Sequence, residues 1–127
     1  MIDAFGGTEA FYKKLYINSV CPLGFTSMKE TGKEVNYNYY DSQELFDAVH
    51  GFIHKSIRRQ IGFGVYTETA FCFGTGKNEK FLRQLNETHQ YFGRIIPLEH
   101  PRFIMQYKAK EKNRYIDKYL SAFAGVL

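Results

Sequence analysis

Two short stretches hold the residues whose types and spacing suit chemistry. One is Tyr16-Ile17-Asn18-Ser19-Val20-Cys21-Pro22-Leu23. The other is Glu99-His100-Pro101-Arg102-Phe103-Ile104-Met105-Gln106-Tyr107. The second has a polar head (Glu99, His100, Arg102) and an apolar centre (Phe103, Ile104, Met105). A His-Pro pair at a strand exit, then bulky apolar residues, then cations, suits a loop that touches a nucleotide base, wedges a stack and holds phosphates. In the first stretch Asn18 is an amide inside an apolar run, where it must find partners or cost stability. A structural asparagine bonded to a neighbouring loop fits that position.

Charge supports the second stretch. Residues 1–99 carry eleven Lys/Arg and eleven Asp/Glu, so they sum to zero. Residues 100–127 carry Arg102, Lys108, Lys110, Lys112, Arg114 and Lys118 against Glu111 and Asp117, so the whole excess of +4 lies there. A local basic stripe suits a polyanion such as nucleic acid, and equally a solvated helix face. Cys21 and Cys72 are the only cysteines, too few for a disulfide framework or a tetrahedral metal site. They read as reduced, buried thiols of a cytoplasmic protein. No apolar run reaches the roughly 20 residues that span a bilayer, and no signal-peptide pattern opens the chain, so no membrane role is expected.

The elements that position these residues follow from spacing. At 127 residues one domain is expected. Thr8 predicts an N-cap for a helix over about 9–14, and residues 15–20 read as a buried strand stopped by Cys21-Pro22. Residues 25–40 are polar and aromatic, with a turn signal at Thr31-Gly32-Lys33. Tyr37, Tyr39 and Tyr40 there could stack on bases or pack a loop. Asp41 and Glu44 fit a capping box for a helix over about 42–61, with Leu45, Phe46, Val49, Phe52, Ile53, Ile57 and Ile61 on one face. His50 and His54 on that helix are four apart, but nothing beside them completes a metal set.

Gly62 and Gly64 stop that helix. Residues 69–74 predict a second buried strand, then a Gly-x-Gly-Lys turn and a helix to about Asn86. The full phosphate-loop spacing is absent, so nucleoside triphosphate binding is rejected. Residues 94–98 predict a third strand, and a helix over about 110–123 buries Tyr115, Ile116, Tyr119, Leu120 and Phe123. Alternating strands and helices imply an α/β fold with a parallel sheet, and ligands bind such sheets at the carboxyl ends of strands.

Asn18-Ser19-Val20-Cys21-Pro22-Leu23, Phe71-Cys72-Phe73-Gly74 at a strand end and His100-Pro101 after a short strand together resemble the uracil-DNA glycosylase superfamily. The resemblance is to the branch of the single-strand-selective monofunctional enzymes and their bacterial relatives. It runs from about Tyr12 to Leu120. It implies a three-layer α/β domain with a short parallel sheet flanked by helices. It also implies a DNA repair enzyme of base excision, metal-free and without cofactor, that flips uracil or a related deaminated base from DNA and hydrolyses its N-glycosidic bond. In that resemblance Asn18 reads the base, because one amide meets both the N3 donor and the O4 acceptor of uracil. His100 stabilises negative charge on uracil O2 as the bond breaks. Phe103, Ile104 and Met105 fill the gap in the duplex, with Ile104 at the tip, and Arg102, Lys108, Lys110 and Lys112 hold phosphates.

Two departures stand out. The family's loop continues with small residues and a second proline where this chain has Arg102-Phe103-Ile104-Met105. The family's first motif, an Asn-Pro-Gly-type segment with the water-positioning residue, precedes the Asn strand; Met1 to Ile17 contains no Asn and no Pro. The resemblance therefore implies the C-terminal portion of a longer glycosylase fold, lacking the first-motif strand. Weak or absent activity and self-association through an exposed sheet edge are expected to follow. The alternative is a catalytically silent DNA-binding α/β module.

Overall fold

In the computed structural model, which describes residues 1–127, the chain opens with α1 (Ile2–Phe5) and α2 (Thr8–Tyr12). A hairpin of β1 (Phe25–Met28) and β2 (Glu34–Tyr37) follows, then a 3₁₀ turn at Tyr39–Asp41 and the long α3 (Gln43–Ile61). Next come β3 (Thr69–Phe73), α4 (Lys77–His89) and β4 (Arg94–Leu98). The chain closes with α5 (Pro101–Tyr107), a 3₁₀ turn at Ala109–Glu111 and α6 (Lys112–Ala124). Two compact units result: Met1–Ile17 with Thr67–Leu127, and Asn18–Tyr66.

The first unit is built on β3-α4-β4. β3 and β4 pair in parallel, Thr69 opposite Arg94 through Phe73 opposite Leu98. Strand alternation sends Phe71 and Phe73 to one face of this sheet and Cys72 to the other. Phe71 meets Phe123 of α6 at 4.9 Å between ring centroids, and Phe73 meets Tyr119 at 5.7 Å. α1 and α2 complete that layer, with Phe5 and Phe11 edge-to-face at 5.4 Å and Phe11 against Phe123 at 6.2 Å. The aromatic richness of the sequence is largely this packing, in the edge-on geometry that ring quadrupoles favour. On the opposite face Cys72 is buried, and its thiol accepts from Asn78 Nδ2 of α4 at 3.5 Å. Helices therefore cover both faces of a short parallel sheet, as an α/β reading requires.

Gly74 makes the turn from β3 toward α4. Its φ is +131°, a conformation L side chains rarely adopt, and a Cβ there would sit 3.2 Å from that of Asn78. Asn78 Nδ2 also donates to the Phe73 carbonyl at 3.0 Å, closing the end of β3. The Gly-x-Gly-Lys sequence is thus a tight strand-to-helix connection, and α4 runs on to His89, one turn beyond the predicted end.

In the second unit β1 and β2 pair antiparallel, and the turn between them uses Gly32 at φ +81°. The turn at Thr31-Gly32-Lys33 is as predicted; the strands on either side were not, because each is only four residues long. α3 begins at Ser42, whose hydroxyl accepts from the Leu45 N–H at 3.2 Å, so Ser42 rather than Asp41 is the cap. Val49, Ile53 and Ile57 are its buried residues, at the predicted spacing.

Two sequence expectations fail. Residues 15–20 form no strand. A strand needs a neighbour to take its N–H and C=O groups, and the only ladders join β1 with β2 and β3 with β4. Tyr16 and Ile17, read as buried, are 53% and 44% exposed. The residues after His100-Pro101 are the helix α5 and not an extended loop. Proline suits the first position of a helix, where its missing N–H costs nothing. The helical turn then carries Ile104 inward, to 4% exposure beside Phe11, Leu98, Tyr115, Tyr119 and Phe123. Ile104 is a core residue, which overturns its assignment as the wedge tip. No helix is long and apolar enough to cross a membrane.

Candidate functional site

β4 ends at Leu98, and the next two residues leave the sheet at its carboxyl edge. Glu99 is held twice by α6. Tyr119 donates its hydroxyl to the Glu99 carbonyl, and Lys118 Nζ reaches both carboxylate oxygens, at 2.6 and 2.9 Å. The Lys118 hydrogen bond is the main reason the Glu99 carboxyl lies below its usual range. Burial, followed by the charge of Glu99 and then Tyr115, pushes the Tyr119 phenol up to about 12, so it stays an O–H donor at neutral pH.

His100 is the N-cap of α5, with φ −64° and ψ 133°, the extended conformation a following proline favours. Its Nδ1 accepts from the Arg102 N–H at 3.1 Å. A ring nitrogen that accepts carries no proton, so the proton of the neutral ring sits on Nε2. The imidazole is exposed and presents an N–H donor at the end of a parallel strand.

α5 sorts its residues by face. Phe103, Met105 and Tyr107 are 42%, 59% and 72% exposed, and the rings of Phe103 and Tyr107 pack at 5.5 Å, one helical turn apart. Tyr107 thereby joins Phe103 and Met105 as outward apolar surface. The six cations of this region are not equivalent. Lys108 and Arg114 pair with Glu111 at 3.7 and 3.0 Å, and Lys118 with Glu99. Arg114 also lies over the Tyr115 ring at 5.1 Å. Arg102, Lys110 and Lys112 are exposed and make no ion pair.

Asn18 lies in the other unit and is exposed. Its Nδ2 donates to Gln60 Oε1 at 2.5 Å, and Gln60 Nε2 donates to Ser56 Oγ at 3.0 Å, both partners on α3. One amide hydrogen is used in this way, leaving Oδ1 as acceptor and the second hydrogen as donor. That is the pair of functions a uracil edge requires. Gln60, Lys118 and Tyr119 had no signal in the sequence: the first is a polar helix residue, and the other two read as a solvated lysine and a core ring.

No group of three or more His, Cys, Asp or Glu is gathered to hold a metal ion. His50 packs on Phe46 at 5.0 Å between ring centroids. Both cysteines are free and buried, and burial pushes the Cys72 thiol up to about 11.

A family model for the uracil DNA glycosylase superfamily matches residues 2–124. Among solved structures, wild-type SMUG2 of Pedobacter heparinus matches with a TM-score of 0.91 and 61% sequence identity. The match covers 98% of this chain and 53% of that one, so the chain spans about half the length of the SMUG2 structure. No curated protein sequence matches. With its βαβ core, its His-Pro helix cap and a family match over nearly its whole length, the chain belongs to the uracil DNA glycosylase superfamily.

Proposed function

We propose that this chain carries the base-reading and leaving-group-stabilising residues of a DNA repair glycosylase that removes uracil, or a related deaminated base. Asn18 accepts from uracil N3–H through Oδ1 and donates to O4 through its remaining amide hydrogen. Cytosine presents the reverse pattern and meets donor with donor. As the N-glycosidic bond breaks, its electron pair passes to the base and negative charge gathers on O2. His100 donates Nε2–H to that oxygen; a donor so aimed contributes a factor of about 10²–10³ in rate. Water then adds to the sugar carbon and gives up one proton, and the departed uracil anion takes up a proton from solvent, so the hydrolysis balances. Phe103, Met105 and Tyr107 stand in for the flipped base, and Arg102, Lys110 and Lys112 meet phosphates.

The observation that carries this reading is the His100 hydrogen bond to Arg102 N–H, which commits the exposed ring nitrogen to being a donor. The test is uracil release under single-turnover conditions, with the chain in excess over a labelled oligonucleotide. His100→Ala should slow release about 10²–10³-fold while DNA affinity changes little. Equal release by both would take His100 out of the chemistry while leaving the chain a glycosylase; no release by the unaltered chain would transfer the reading to a silent DNA-binding module. Neither β3 nor β4 has a ladder partner on its far side, which supports self-association by edge pairing. Sedimentation as a monomer at all concentrations would remove that part of the proposal.

A further inference from the structure

We infer that Tyr119 and Lys118 of α6 are positioning residues for His100, acting through Glu99 to hold the imidazole as an Nε2–H donor. The inference rests on the glycosylase reading for its catalytic meaning, but not for its structural content. The Glu99 carbonyl and the His100 N–H belong to one planar peptide. The Tyr119 hydroxyl that donates to this carbonyl therefore fixes the plane from which the His100 φ is measured. On the other side, Pro101 restricts the His100 ψ, and the His100 carbonyl accepts from the Ile104 N–H at 3.2 Å. The ring itself is fixed by the Arg102 N–H at 3.1 Å.

His100 is thus pinned through its preceding peptide, its own carbonyl and its side chain. Only the first of these restraints comes from outside α5. Tyr119 is 3% exposed in the aromatic core, so its hydroxyl is a rigid mount. Lys118 supplies the second half of the clamp. By holding both Glu99 oxygens it fixes the side chain next to His100 and compensates a carboxylate that would otherwise repel DNA phosphate at the site. The α6 residues bond to Glu99, and their effect passes through the strand exit.

The test reads the His100 ring directly. Long-range ¹⁵N–¹H correlation on the labelled chain should show an unprotonated Nδ1 and a protonated Nε2. Tyr119→Phe removes one oxygen atom from a buried ring, and Lys118→Met alters a side chain that is 52% exposed, so the second variant folds even if the first does not. Each should raise the Nδ1–H tautomer. Each should also lower the maximal single-turnover rate about fivefold, the factor one ordinary hydrogen bond represents, with half-saturation unchanged. Lys118→Arg, which can still grip both oxygens, should restore the ring signals and the rate. The inference is overturned if Lys118→Met leaves the His100 signals as in the unaltered chain, or if Lys118→Arg fails to rescue them. If His100→Ala leaves uracil release intact, the role of His100 in that chemistry falls, while the ring signals still decide the clamp.

Discussion

Salt dependence of DNA binding distinguishes a basic stripe that is free from one neutralised within the protein. Arg102, Lys110 and Lys112 are open to phosphate, whereas Lys108, Arg114 and Lys118 are already paired with Glu111 and Glu99. Each phosphate neutralised releases counterions, so three free cations give a slope of log affinity against log salt of about −2.1 on single strands and about −2.7 on duplex. Raising monovalent salt from about 50 to about 200 mM should then weaken binding about 20- to 40-fold. Were all six cations engaged, the same step would weaken it about 300- to 2,000-fold. Fluorescence anisotropy with a labelled oligonucleotide measures the slope directly. Lys110→Ala should flatten it by about 0.7–0.9, and Arg114→Gln should change it by less than about 0.3. A slope steeper than about −4, or equal flattening by the two variants, would refute the division of the stripe.

Ile104→Ala should destabilise the fold by about 2–5 kcal/mol, as a large-to-small change in a packed core does. Phe103→Ala should leave stability within about 0.5 kcal/mol while weakening duplex binding; equal denaturant midpoints for the two would contradict the faces of α5. Gln60→Leu frees the Asn18 amide to turn over, so uracil selection over cytosine should drop about fivefold, whereas Gln60→Glu, an acceptor only, should keep it. Competition between uracil- and cytosine-bearing strands reads the ratio, and an unchanged ratio in Gln60→Leu would sink the idea. The Glu99 carboxyl is lowered from its ordinary 4.5 in the folded state, so on acidification the unfolded chain takes up the proton first. Its stabilisation is present above that pH and lost as pH falls through the lower folded value. Thermal melts of Glu99→Gln should lack that acid-side loss; melts parallel to those of the unaltered chain at every pH would count against the Lys118 pairing.

Much of this molecule was legible in its sequence because its strongest signals are periodic. α3 shows a three- and four-residue apolar rhythm, and Ala70-Phe71-Cys72-Phe73 and Ile95-Ile96-Pro97-Leu98 are short apolar runs of the kind a doubly covered parallel sheet contains. The failures have a common origin in partners that sequence does not reveal. Leu15-Tyr16-Ile17 has strand composition, but composition cannot supply the neighbouring strand that a ladder needs. Residues 102–107 were read as a protruding loop because a His-Pro pair looks like a break. In fact proline at the first helical position permits a helix, and one turn of helix decides that Ile104 points inward while Phe103 points out. Lys118 and Tyr119 sit on a helix whose pattern declared only a buried face and a wet one. That a buried hydroxyl would reach the peptide before His100 depends on how α6 lies across β4, which no local pattern records.

The bond from Tyr119 to the Glu99 carbonyl also ties performance to rigidity. The hydrogen-bond donor proposed at His100 is exposed, yet its mounting is the aromatic cluster of Phe11, Phe73, Tyr119 and Phe123. Softening that cluster would degrade the aim of His100 before the chain unfolds. On the function proposed above, a screen for lost uracil release would therefore recover substitutions beneath α6 as readily as substitutions at the site.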